Sequence, residues 1–203
     1  MPPTDRPIPQ FFAEPPREQL PYGRWAEALG EHFFEAARHV EADDDIGQPG
    51  PLTWFPDRTL WGRTYIPATA PTSNGFELYG VVSFTREHEG AEAREFAAYV
   101  DYTDETAEAN PDWQLDLSDH ELGPWRGPRG RTSQIALVWG VALVQNGAVA
   151  TAELGPTTTD QCVLADDRFT LVSLDSYGGD FIEVKLFGGG GSEIASESLF
   201  EED

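Results

Sequence analysis

The feature that most constrains this chain is the apolar run at 135–144, closed by Asn146-Gly147 and followed by a second run at 148–154. Asn-Gly between two apolar runs is the strongest short hairpin signal. A type I′ turn needs positive φ at both central residues, which Asn tolerates and Gly adopts freely. A two-residue turn also sets the register, placing Val144 opposite Val149, Leu143 opposite Ala150, Val141 opposite Ala152 and Trp139 opposite Leu154. The first strand is apolar on both faces, so it is expected in the middle of a sheet.

The remaining patterns build outward from that hairpin. Trp25, Leu29, Phe33, Ala36 and Val40 recur at three and four residues, which predicts one amphipathic helix over about 22–42. Residues 76–85 and 94–103 alternate polar and apolar around a loop at 86–93. Two further strands are expected at 161–165 and 168–175, joined tightly at Asp166-Asp167. A strand at 181–187 turns Ile182, Val184 and Leu186 inward, and 193–199 reads as a final edge strand. Residues 48–72, with five prolines, read as loop, and Ser118-Asp119-His120-Glu121 reads as a capping box opening one helical turn before Pro124. The expected fold is α+β: mostly antiparallel β, as a sandwich or curled sheet, with one amphipathic helix near the N-terminus. Residues 1–21 hold seven prolines and are read as an extended arm, leaving 22–203 as one β-rich domain.

Charge limits the partners. There are 13 basic and 36 acidic residues, net −23, and Lys185 is the sole lysine. Such a surface repels nucleic acid and anionic membrane, whose recognition runs on cationic contacts. A high-salt cytoplasm, a genome habit favouring Arg over Lys, and a surface made for a basic partner each account for it. No apolar run approaches the roughly 20 residues of a membrane span, and the N-terminus carries no signal-type core. The single thiol, Cys162, suits a reducing compartment, so a cytoplasmic location is expected.

Chemical motifs are few. There is no G-x-S-x-G, no P-loop and no dinucleotide fingerprint, so no catalytic residue, cofactor or metal is assigned. His32 and His39 flank Glu35 at the wrong spacing for a metal seat, and Cys162 lies among acids that disfavour its thiolate. The best ligand constellation is Asp112, Trp113, Asp116, Asp119, His120, Glu121 and Trp125. Carboxylates beside flat aromatic rings are what sugar binding or glycosidic cleavage requires. Arg126, Arg129 and Arg131 gather cations in a chain that has few elsewhere, a candidate anion seat. Phe11 and Phe12 interrupt the Pro-rich arm and are the expected protein contacts, either on this chain or on a neighbour.

Three functions are compatible with these residues. The first is a non-enzymatic acidic interaction or assembly module that contacts a protein partner through the arm, with no nucleic acid and no membrane. The second is a carbohydrate-binding or carbohydrate-cleaving β-sandwich. The third is an immunity protein or nucleic-acid mimic that blocks a basic partner.

If the acidity belongs to a saline compartment, the melting temperature should climb between dilute buffer and molar KCl. The Debye length shrinks from about 10 Å to about 3 Å between 0.1 and 1 M salt, relieving repulsion across the whole surface. A flat or falling melting temperature would remove the high-salt explanation.

Overall fold

A computed structural model describes Pro9, Phe11 and residues 20–199, without the Arg129 side chain. The fold is α+β, mostly antiparallel β with curled sheets, and has one α-helix among the described residues. No helix among them is long and apolar enough to cross a membrane. Backbone contacts divide the chain into two compact units: Pro16–Trp113, and Gln114–Asp203 together with Met1–Pro15. The sequence pattern shows no boundary within 22–203, because composition does not change at Trp113. The division follows from strand pairing, since no sheet among the described residues takes strands from both units.

In the unit Pro16–Trp113, helix α1 spans Gly23–Ala37. It stops short of the expected residue 42, because the N–H groups of His39 and Val40 turn to carbonyls three residues back, Ala36 and Ala37. Val40 still packs on the core, which is why the apolar period continues past the helix. Strands β1 (Thr53–Trp54), β2 (Arg58–Leu60), β3 (Arg63–Pro71), β4 (Glu77–Thr85) and β5 (Arg94–Thr103) form one antiparallel sheet. The β4–β5 hairpin is the one that the alternation predicts. Leu29 and Phe33 of α1 join Ile66, Leu78, Val82 and Phe84 in the core. Trp25 meets Phe84 edge-on at 5.3 Å, and His32 stacks on Phe96 at 4.4 Å.

The loop expected at 48–72 instead contains β1, β2 and the nine-residue β3. Proline is tolerated in β3 for a visible reason. Phe55 N–H donates to the Pro67 carbonyl at 3.0 Å, so Pro67 faces the break between β1 and β2. A strand residue points its N–H and C=O to the same side. The donor that Pro67 lacks therefore lies where the partner strand is interrupted.

The second unit contains β6 (Leu115–Arg126), β7 (Thr132–Ala142), β8 (Gly147–Leu154), β9 (Thr157–Val163), β10 (Arg168–Leu174), β11 (Ser176–Tyr177), β12 (Asp180–Gly188) and β13 (Glu193–Ser198). They form two sheets, β10-β7-β6 and β9-β8-β12, with β11 and β13 both pairing β12. The hairpin expected between residues 134 and 154 is not formed. Strand β7 is central, as its two apolar faces predict, but β6 and β10 hold its edges. Strand β8 pairs β9 and β12 in the other sheet. Asn146 does take a positive φ of 69°, whereas Gly147 does not, so the type I′ pair is missing. Leu143, expected opposite Ala150 in that hairpin, is 41% exposed on this crossing between sheets.

The tight join expected at Asp166-Asp167 is present, with φ of 50° and 62°. Ala165 and Arg168 exchange both backbone hydrogen bonds across it, at 2.9 and 3.0 Å. Beyond the turn the strands part, β9 to β8 and β10 to β7. Asp160, fully buried, closes the gap by accepting the Val172 N–H at 2.8 Å, and Thr159 and Ser173 share a hydroxyl bond at 2.8 Å. Along β12, Ile182, Val184 and Leu186 are buried as expected. Lys185, on the opposite face, is ringed by Glu153, Glu183 and Glu193 at 3.5 to 3.7 Å.

The capping box at Ser118 opens no helix. Its residues continue β6, because pairing along the whole of β7 satisfies more backbone groups than one helical turn can. Pro124 is admissible there because β6 hydrogen-bonds on one edge only.

In each unit a glycine marks a place where paired strands come into backbone contact. A Cβ on Gly80 would stand 2.1 Å from the Tyr99 carbonyl, and one on Gly140 would stand 2.3 Å from that of Asp116. Neither obstacle is a movable side chain. Gly80→Ala and Gly140→Ala should each cost about 1–3 kcal/mol or more by forcing paired strands apart. Urea denaturation checks this, and an unchanged midpoint in either variant would contradict the strand pairing described.

Candidate functional site

The acidic and aromatic constellation read from the sequence is scattered by strand geometry. Successive side chains of β6 point to opposite faces. Asp116 and His120, opposite Val141 and Leu137, share one face; Asp119 and Glu121, opposite Val138 and Ala136, occupy the other. Asp112 and Trp113 belong to the other unit, where Asp112 is exposed and the Trp113 N–H donates to Asn110 O. Of the carboxylates on β6, only Asp119 and Glu121 therefore share a face, while Asp116 is turned to the other side with His120.

The ionisable groups of β6 still feel their surroundings. Half-burial raises the Asp116 carboxyl above its ordinary pKa and lowers the His120 imidazole below its own. Asp119 is raised by partial desolvation, and then by the nearby carboxylates of Glu121 and Asp175. The Asp175 carboxylate is used structurally, since its Oδ1 accepts from Ser133 Oγ, Gln134 N and Ser176 N at 2.6 to 3.1 Å. It staples the start of β7 to the turn between β10 and β11.

Trp125 serves the hairpin tip. Its ring lies so close to Gly127 that a Cβ there would be 2.2 Å from it, and it meets Tyr177 edge-on at 5.8 Å. Arg131 sits 5.1 Å over the same Tyr177 ring and Arg126 is exposed, so Arg131 is engaged by an aromatic face. The Arg129 side chain lies outside the described residues, as does Phe12. Phe11 is described, and its N–H donates to Thr159 O at 2.7 Å, a contact with its own chain.

The concave surface that the sequence pattern does not reveal lies along α1. A groove of about 730 Å³ has Phe34, Leu52, Trp54 and Gly30 in its lining, with Glu27, Glu31, Glu35 and Arg38 beside them. A second hollow of about 500 Å³ shares Phe34 and Arg38 with the first and continues to Ile46 and Leu78. From Ala26 to Arg38 the groove follows about 18 Å of helix. Gly30 lets Leu52 pack closely on the helix, since a Cβ there would come within 3.2 Å of Leu52 Cδ1.

The three glutamates recur every four residues, so they form one stripe beside the apolar floor. Like charges at this spacing weaken a helix by a few tenths of a kcal/mol per pair. Glu35 is relieved by Arg38, and its Oε1 also lies 3.6 Å from His39 Nε2. Among the described residues, Glu27 and Glu31 have no cation within 4 Å. The stripe was visible in the sequence as the helix's polar face, but the hollow beside it was not. No group of residues able to hold a metal ion occurs among the described residues.

No family model matches the chain, and neither the curated proteins nor the solved structures gave a significant match.

The desolvation of Asp116 gives a pH-dependent expectation. With its folded pKa raised, the folded state binds protons more readily than the unfolded one, so this group's contribution to stability falls as pH rises through the ordinary carboxylate range. Asp116→Asn should therefore stabilise the protein at neutral pH, and the gain should vanish as pH falls below the unfolded value. Denaturant midpoints at several pH values test this; an equal effect at all pH values would show that the carboxylate charge is not the cause.

Proposed function

We propose that this chain is a non-enzymatic, acidic protein-interaction module whose α1 groove receives a basic amphipathic segment of a protein partner, in the cytoplasm. The observation that carries the reading is the glutamate stripe beside an apolar floor. Helix-in-groove recognition needs a hydrophobic trough for the apolar face of the incoming segment, with complementary charge along its border. Phe34, Leu52 and Trp54 supply the trough. The surface charge of −23 favours a cationic ligand at long range, and the stripe gives that attraction a place to settle. A fold held only by its own strands gains nothing from Glu27 and Glu31 side by side. A groove that waits for Lys or Arg does.

The test uses a synthetic amphipathic peptide with one Leu face and one Lys/Arg face, titrated into the full chain by calorimetry. Saturable one-site binding is expected. Replacing Glu27, Glu31 and Glu35 together with Gln should weaken it about tenfold, from roughly 0.5 kcal/mol per exposed charge. A control with Asp104→Asn, Glu105→Gln and Glu108→Gln removes the same charge from another exposed surface and should change affinity far less. Equal losses in the two variants would mean that the overall field, and not the groove, binds the peptide. Absence of one-site binding would refute the proposal outright.

A further inference from the structure

Of the six tryptophans, Trp61 alone is exposed, at 69%. It occupies the first central position of the two-residue turn joining β2 to β3, where Leu60 pairs Arg63. Its φ is +51°, and that of Gly62 is +79°. Positive φ at both positions is what a type I′ turn demands, and Asn, Asp or Gly is the residue such a turn selects. A bulky aromatic side chain in the left-handed region is a steric outlier. This position therefore combines two local disadvantages, backbone strain and a large apolar ring in water. Observed strain at an exposed residue points toward a functional use of that residue.

A cleft of about 220 Å³ opens beside the same turn. Gly62 lines it, and an added Cβ there would meet nothing within 4 Å. The rest of the lining is Thr59, Thr64, Arg86, Glu87, His88 and Glu89. These groups are held in place. The two threonine hydroxyls bond each other at 2.9 Å, Glu87 pairs Arg94 at 2.9 Å, and His88 Nδ1 lies 3.0 Å from Glu89 O. The Arg86 guanidinium rests 4.9 Å over Phe84 and 5.3 Å over Trp25.

Glu87 is already paired with Arg94, which leaves Glu89 set against Arg86 in the lining, so neither an anion nor a cation gains much net charge there. An anion is further disfavoured by the surface field. A neutral ligand rich in hydroxyls can use the donors, the acceptors and the threonines together, while its C–H face lies on an aromatic ring. We propose that the β2–β3 turn and its cleft form a binding site for a neutral saccharide, with Trp61 as the stacking platform. The site is independent of the α1 groove, and its ligand is of a different class.

The test records the Trp61 indole N–H resonance of the full chain while cellohexaose, chitohexaose and maltohexaose are each added to millimolar concentration. Carboxymethylated cellulose fragments serve as the anionic comparison. At least one neutral oligosaccharide should shift this resonance saturably, with the shifts confined to the turn and to residues 86–89. Trp61→Asn restores an Asn-Gly turn, so it should raise the urea midpoint and abolish binding. Glu89→Ala, at an exposed lining position, should weaken binding several-fold and leave the midpoint unchanged. The proposal is overturned if no neutral oligosaccharide shifts the resonance, if only the anionic fragments do, or if Trp61→Asn binds as well as the parent protein.

Discussion

Everything in the unit from Gln114 onward depends on β7 having both of its edges taken. Strand β6 occupies one edge from Leu115 to Arg126, and β10 occupies the other from Arg168 to Leu174. With Ile135 through Gly140 buried on both faces, β7 is the strand whose backbone groups can least tolerate water or a missing partner. Once its edges are filled, the chain after Ala142 cannot fold back beside it and must cross to a second sheet. The positive φ of Asn146, the exposure of Leu143 and the parting of β9 from β10 after Asp166-Asp167 all follow from that one exclusion. At the parted strands, Asp160 supplies through its side chain the acceptor that a ladder would have supplied through its backbone.

This explains which parts of the fold were legible beforehand. Helix α1, β5 and β12 show their period in the sequence because each has one more buried and one more exposed face, whereas β4 alternates in sequence yet is buried on both faces from Gly80 to Phe84. The central position of β7 was legible for the complementary reason: it is apolar on both sides. The identity of its neighbours was not. Asn-Gly specifies a turn locally, yet which strands then pair depends on residues far along the chain, 115–126 and 168–174. Strand β3 was hidden by its prolines, since only the break between β1 and β2 makes Pro67 acceptable, and that break is a tertiary fact.

The candidate sites repeat the lesson at the level of side chains. Asp116, Asp119, His120 and Glu121 are neighbours in sequence, and a helical turn would have gathered them. The extended backbone of β6 deals them to two faces instead. Glu27, Glu31 and Glu35 were plain to see, yet ordinary for a solvated helix. Only the hollow over Phe34, Leu52 and Trp54 gives their spacing a purpose. Trp61 lies in the stretch 48–72 that reads in the sequence as loop, and its exposure and left-handed backbone emerge only with the β2–β3 turn.

The outer edge of β6 carries one more implication. A twelve-residue strand that hydrogen-bonds on one side is a template on which a second copy of the chain can add a strand, the first step toward aggregation. Here Pro124 deletes one donor from the row, and the irregularity between Glu121 and Gly123 kinks it. These devices are steric, whereas the repulsion between two bodies of charge −23 is electrostatic and fades with added salt. In concentrated brine, where charge no longer keeps copies apart, the bent and proline-blocked edge still denies them a straight strand to extend. The chain thus has a safeguard against stacking that does not depend on the ionic strength of its surroundings.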